Sequence, residues 1–290
     1  PAPVRLAGGR GLDAWRERLA ARVDEAAAGN VNEGDDVAAA AALARALVLG
    51  VSGDVDEDTR ALLRDTGTAH LLAISGLHVT LVAGWGLWLG RTLARRAGAN
   101  AGRAGAIGLA SGLALAVVYA LLAGFELPVR RALAMLAVCF VAAFRLRALA
   151  PGAALGAAFV AAFAIDPLAP LAVGFWLSFG TVAALLWLHA GRIRDERAAR
   201  PERLVALLRT HCLLGVVLLP VTAWFFQSGS WVAPLANAVA VPFTALVIVP
   251  LAFLTLALAA AWPRAAETAL AAFDVASTAL LGGLAALLER

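Results

Sequence analysis

The 290-residue chain is 62% hydrophobic and only 15% charged, with a mean hydropathy of +0.82. Soluble domains are about half apolar and about one quarter charged, so a water-soluble enzyme, a disordered tail and a disulfide scaffold are excluded. An all-α integral membrane protein is predicted. Every basic side chain is arginine, and the charges are uneven: residues 1–69 carry 8 Arg against 12 acids, and residues 70–290 carry 16 Arg against 8 acids.

Residues 1–69 read as a water-facing, helical, extracytoplasmic region. Gly11–Ala28 predicts an amphipathic helix, with Leu12, Trp15, Leu19 and Val23 spaced three to four apart. The polar run Asn30–Asp36 breaks it. Val37–Leu49 predicts a second helix, which Gly50 ends. Ser52–Arg64 begins acidic, as a helix N-terminus prefers.

Charge gaps define the membrane part, residues 70–290. None occurs from Asp65 to Arg91, Arg103 to Glu126, Arg147 to Asp166 or Asp166 to Arg192, each gap near the length of about 20 residues that crosses a bilayer. The shorter stretch from Arg131 to Arg145 crosses only if its helix starts near Pro128, with the arginine pair in the headgroup layer. The gap from Thr210 to Pro263 holds Pro220, Pro234, Pro242 and Pro250. It has room for two spans, the second proline-broken or re-entrant. A last segment, from about Ala265 to Leu288, carries Asp274. The expectation is a polytopic transmembrane helical bundle of about eight spans.

Arginine placement sets an orientation. Arg91, Arg95, Arg96 and Arg103, then Arg145 and Arg147, then Arg192, Arg194, Arg197, Arg200, Arg203 and Arg209, then Arg264, fall in alternate loops. Arg130, Arg131 and Arg290 fall on the other side. The positive-inside rule puts the larger set in the cytoplasm, and the N-terminal region and the C-terminus outside. Cys139 and Cys212 lie in apolar runs and read as small buried residues. Trp85, Trp88, Trp224, Trp231 and Trp262 fall near span ends, as an interfacial belt would.

The first span begins GTAHLLAISGLHVTLVAGW (Gly67–Trp85). On one helix turning about 100° per residue, His70, Ser75 and His78 share an arc of about 140°. Such a face lines a polar path or hydrogen-bonds a neighbouring helix, and Gly76 makes room beside it. Arg130 and Arg131 can bind phosphate oxygens at a mouth or snorkel to lipid headgroups. Asn237, between Pro234 and Pro242, faces a cavity or repairs a broken helix. Asp274 is an intramembrane charge that can pair with an Arg or His across the bundle. Asp166 before Pro167 reads as a turn. The four histidines (His70, His78, His189 and His211) are scattered, so no zinc site is expected. No GxxxxGK[ST] loop is present for a nucleotide. No catalytic residue, cofactor or metal is therefore expected.

HLLAISGLHV (His70–Val79) resembles the signature of ComEC-type competence proteins. PVRRALAM (Pro128–Met135) is similar to the family's RAxxM element, with Arg131, Ala132 and Met135 on the matching positions. DPLAPLAVGFWLSFGTVAAL (Asp166–Leu185) resembles DP…GFxLSF, and PLANAVAVPF (Pro234–Phe243) resembles PxxN…P. ALVLG (Ala46–Gly50) and LRDTGTAH (Leu63–His70) also fit; Trp176 departs, standing where the family commonly has Gln. The resemblance covers nearly the whole chain. It implies a non-enzymatic inner-membrane channel that passes incoming single-stranded DNA to the cytoplasm during natural transformation. His70, Ser75, Gly76, His78, Arg130, Arg131 and Asn237 would then lie along the DNA path. The implied partners are single-stranded DNA, the lipid bilayer, and DNA-uptake machinery, a nuclease domain and a cytoplasmic motor outside this chain. Both a monomer and a homo-oligomer stay open. The residues alone also leave two rivals, a small-solute secondary transporter built on broken helices and an intramembrane hydrolase using Ser75 and His78.

Overall fold

The computed structural model describes residues 11–29, 34–144, 150–189, 205, 209–210, 212–217 and 230–289. Among the described residues all regular structure is helical. Three helices form the N-terminal region: α1 (Leu12–Ala28), α2 (Gly34–Leu49) and α3 (Glu57–Asp65). Asp56 caps α3, its Oδ2 accepting the Thr59 N–H at 2.7 Å, a contact worth about 1 kcal/mol. Glu57 and Asp58 follow in the first turn, where the helix dipole favours them.

After a 3-10 turn at Ala69–Leu71 come α4 (Gly76–Arg96), α5 (Ala101–Leu122), α6 (Leu127–Phe144), α7 (Pro151–Ile165) and α8 (Val173–His189). Then follow α9 (Ala233–Phe243), a π turn (Thr244–Ile248), α10 (Val249–Ala261) and α11 (Pro263–Leu288). Among the described residues five stretches are long and apolar enough to cross a membrane: Ala69–Arg96, Ala101–Leu122, Leu127–Phe144, Ala233–Ala261 and Pro263–Leu288. Helices α7 and α8 are apolar but shorter. This is the all-α polytopic fold that the charge gaps predict. The arginine-rich loop of residues 192–203, and most of the span expected between Thr210 and Gly229, lie outside the described residues.

Two local expectations are corrected. The prolines do not break the second span of the Thr210–Pro263 gap, because α9, the π turn and α10 run on as 29 helical residues. Pro242 and Pro250 each lack an N–H, and the wider π turn between them re-pairs the backbone. The interruption falls instead at Leu72–Ser75, between the 3-10 turn and α4. Cys139 and Cys212 are exposed rather than buried; apolar residues of a membrane bundle face outward as readily as inward.

The packing forms two compact units. The first holds residues 1–78, 121–125 and 239–290. Within it α2 packs against α1, α10 and α11, burying Val37, Ala40, Ala41, Ala44, Leu47, Val48 and Leu49. Its alanines leave little between one backbone and the next. Arg45, with 13% of its side chain exposed, ties α2 to Asp24 at 2.7 Å and Asp54 at 3.0 Å. Burial pushes the Asp24 carboxyl up, against the pull of Arg45 and with the push of Asp54. Two arginines of α1 serve the carbonyls left over at helix C-termini. Arg16 Nη2 donates to Leu49 O at 2.7 Å and lies beside Gly124, whose φ of +79° suits glycine. Arg22 Nη1 donates to Ala260 O at 3.0 Å and Ala259 O at 3.5 Å. One short helix thus touches both the α5–α6 turn and the end of α10.

The second unit holds residues 79–120 and 126–238. In it α4 and α5 meet backbone to backbone. A Cβ at Gly86 would stand 2.8 Å from Ser111 O, one at Gly108 2.8 Å from Leu87 O, and one at Gly112 2.7 Å from Ala83 O. Small residues permit such close approach where no hydrophobic force between helices is available. Helices α6, α7 and α8 share an aromatic core, in which Phe159 meets Phe175 at 5.1 Å and Phe179 at 5.2 Å, both edge-to-face. Met135 packs against it.

Candidate functional site

The ISGLH block is a helix start. Ser75 precedes α4, and its backbone carbonyl accepts the His78 N–H at 3.2 Å. The His78 ring turns back, so that Nδ1 accepts the Ser75 backbone N–H at 3.1 Å and lies 3.0 Å from Ser75 Oγ. This is the return half of a capping box, the N3 side chain accepting the N-cap N–H, with histidine where Glu or Gln usually stands. An Nδ1 that accepts a backbone N–H keeps its lone pair, so the ring proton sits on Nε2. That atom is buried and has no partner among the described residues. The shared helical arc predicted for His70, Ser75 and His78 does not form, because the chain is not helical from Leu72 to Ser75. His70 is exposed on the 3-10 turn and hydrogen-bonds the Gly67 backbone.

A nucleophilic serine needs an accessible base held by a third group. Here the Nδ1 lone pair is shared with a backbone amide, and His78 is 2% exposed. Capping is what this geometry does best.

Arg131 sits in the second turn of α6 and is 7% exposed. Its Nε donates to Ser178 Oγ of α8 at 3.3 Å, while Ser178 Oγ donates to Gly174 O at 2.8 Å. A Cβ at Gly174 would stand 3.1 Å from Arg131 Nη2. Two stretches singled out in the sequence, RAxxM and GFxLSF, therefore meet through one guanidinium. Gly174 and Ser178 carry no role in the sequence reading. A hydroxyl and a glycine one helical turn apart in an apolar span were the signal available. Trp176 takes up hydrogen bonding at the departing position, its Nε1 donating to Pro170 O at 2.8 Å.

Arg131 lines a small pocket with Leu127, Arg130, Ala162, Ile165, Asp166 and Ala169. Arg130 is exposed. Asp166 ends α7 and turns the chain, its Oδ1 accepting the Leu168 N–H at 3.1 Å. Asn237 is half-buried on α9. Asp274 lies midway along α11, where its carbonyl accepts from Ser277 Oγ at 3.0 Å and its Oδ1 from Thr278 Oγ1 at 3.5 Å. Arg130, Arg131 and Asn237 belong to the second unit; His70, Ser75, Gly76, His78 and Asp274 belong to the first. Among the described residues no cluster of His, Cys, Asp or Glu could hold a metal ion.

Residues 47–290 match the family described as Competence protein. The chain is 36% identical over 254 residues to Competence protein ComA of Neisseria gonorrhoeae, covering 87% of this chain and 35% of that protein. It is 32% identical over 214 residues to Recombination protein 2 of Haemophilus influenzae, covering 71% and 27%. YcaI of Escherichia coli is 31% identical over 216 residues, covering 71% and 27%. The chain thus spans about a third or less of the length of these relatives. No solved structure matches.

Proposed function

The chain belongs to the competence protein family, and we propose that it forms the cytoplasmic-membrane channel through which single-stranded DNA enters the cell during natural transformation. The observation that carries this reading is the extent of the match: residues 47–290 take in the five stretches among the described residues that are able to cross a membrane. Two relatives bear names that speak of competence and recombination. A polyanion crossing a bilayer needs a protein path, because hydrocarbon offers its charge no partner. The helices α1 to α3 stand on the extracytoplasmic side in this reading. Strand degradation and driving force come from proteins or segments beyond this chain.

The test uses the full-length protein in its competent host. Cells lacking the gene should still bind labelled DNA at the surface but accumulate no nuclease-resistant label. Gly76→Leu, which thickens the start of α4 beside the Ser75–His78 cap, should give the same defect with the protein present in the membrane. Undiminished internalisation in the gene-less cells would overturn the reading.

One contact favours an intramembrane serine hydrolase instead, the 3.0 Å separation of Ser75 Oγ and His78 Nδ1. That reading requires Ser75→Ala to abolish a hydrolytic activity, whereas a channel keeps most of its DNA uptake.

A further inference from the structure

Arg131 is an unusual cation. It is more than nine-tenths buried, yet among the described residues Ser178 Oγ is the acceptor it is given, at Nε alone. The ion pairs of the described residues, Arg16–Asp13, Arg45–Asp24, Arg45–Asp54 and Arg64–Glu57, do not include it. A guanidinium has five N–H donors in a planar fork, so both Nη groups are left to seek an acceptor. A buried cation without a counter-charge is costly, and a bound anion relieves that cost.

The surroundings favour an anion. The guanidinium lies against Gly174 in the first turn of α8, where helix N–H groups add partial positive charge. Arg130 lines the same pocket. The pocket's carboxylate, Asp166, already accepts the Leu168 N–H.

We propose that Arg131, anchored at Nε by Ser178 and given room by Gly174, binds a phosphodiester of the transported strand through its free Nη groups. This deepens the channel reading and rests on it for the identity of the phosphate's carrier. Tetrahedral phosphate oxygens suit the planar fork in a two-pronged contact that lysine cannot reproduce. Burial separates Arg131 from its neighbour: an arginine serving lipid headgroups points outward, as exposed Arg130 does. Ser178 is a positioning residue that aims the fork.

The test measures binding of a fluorescent single-stranded oligonucleotide to the full-length protein in lipid nanodiscs containing phosphatidylglycerol, across a salt series. Arg131→Gln should weaken binding about tenfold and flatten the salt slope by about 0.7, the share of one phosphate contact on a single strand. Arg131→Lys keeps the charge, so it should weaken binding and leave the slope unchanged. Ser178→Ala should do likewise, and Ser178→Thr should restore binding. Asp166→Asn, which removes the competing carboxylate, should tighten it. Folding of each variant is read separately by thermal unfolding. Wild-type binding and slope in a folded Arg131→Gln protein would overturn the assignment while leaving the channel reading intact. Arg131→Gln that only strips co-purified phosphatidylglycerol would overturn it in favour of lipid. A wild-type protein that binds no oligonucleotide at all would overturn the channel reading, and with it the carrier named here, whatever the variants do.

Discussion

Gly86→Ala puts the contact between α4 and α5 to a direct test. The new methyl would stand 2.8 Å from Ser111 O, 2.9 Å from Gly112 Cα and 3.1 Å from Leu115 Cβ. Non-bonded carbon contacts settle at about 3.5–4.0 Å, so the helices must part by roughly 0.7 Å. Two of the three obstructing atoms are backbone, so no rotamer change can absorb the strain. A radial gap of that size forfeits about a quarter to a half of each dispersion contact along the seam, and overpacking of this kind costs about 1–3 kcal/mol. Gly84→Ala, two residues earlier on the same helix, meets nothing within 4 Å and gains about 1 kcal/mol of helix propensity. The two variants should therefore differ by about 2–4 kcal/mol in opposite directions from the parent. Reversible unfolding in mixed micelles, followed by circular dichroism against the mole fraction of denaturing detergent, reads the difference. Equal midpoints for the two variants would refute the interlocked seam.

Ser75→Ala removes the hydroxyl beside His78 Nδ1 but leaves the backbone N–H that also reaches it, so it should cost about 1 kcal/mol of stability in the same unfolding assay. Gly174→Ala should be tolerated only when the Arg131 side chain can give way, so its destabilisation should shrink in an Arg131→Ala background, a double-mutant cycle read by thermal unfolding. Because Asp24 holds its proton more tightly folded than unfolded, its protonation stabilises the fold fully below the ordinary value of 3.8. That contribution is lost as pH rises through the raised folded pKa, and Asp24→Asn should flatten the dependence measured between about pH 3 and about pH 7. Through α1, Arg22 binds the end of α10 and Arg16 lies against the α5–α6 turn. In a cysteine-free background Asp13→Cys and Arg264→Cys should therefore label from one membrane face and Glu289→Cys from the other, as read with an impermeant maleimide; labelling of Arg264→Cys from the face opposite Asp13→Cys would reject it.

Helices were legible in the sequence where one rule acted alone. The acidic start of α3 announced its cap, and the charge gap between Arg103 and Glu126 outlined α5. The interruption at Leu72–Ser75 was not legible, because those four residues hold no charge, glycine or proline. The prolines misled for the complementary reason: a missing N–H predicts trouble for the hydrogen-bond ladder but not the π turn that resolves it. The motif around Arg131 marked the residue, yet its acceptor lies 47 positions away, beyond any periodic rule. Arginine counting judged each loop by itself and placed Arg264 with the cytoplasmic set. Such counting carries no sign that a helix from the N-terminal region reaches the end of α10.

The π turn at Thr244–Ile248 also works as a rotation. It houses one residue more than an α-helix would over the same rise, so the side chains after it lag about 100° behind the angle that counting residues from before Thr244 would give. The face of α10 that carries Val249, Ala252, Thr255 and Ala259 into the core therefore owes its direction to a residue count as much as to its own chemistry. Deleting one residue from TALVI would let an α turn close over the same rise and leave that face on α2. A single insertion just after Ile248, which the π turn does not absorb, would instead swing it away by about 100°. In this stretch the chain behaves like a screw thread, where length is angle.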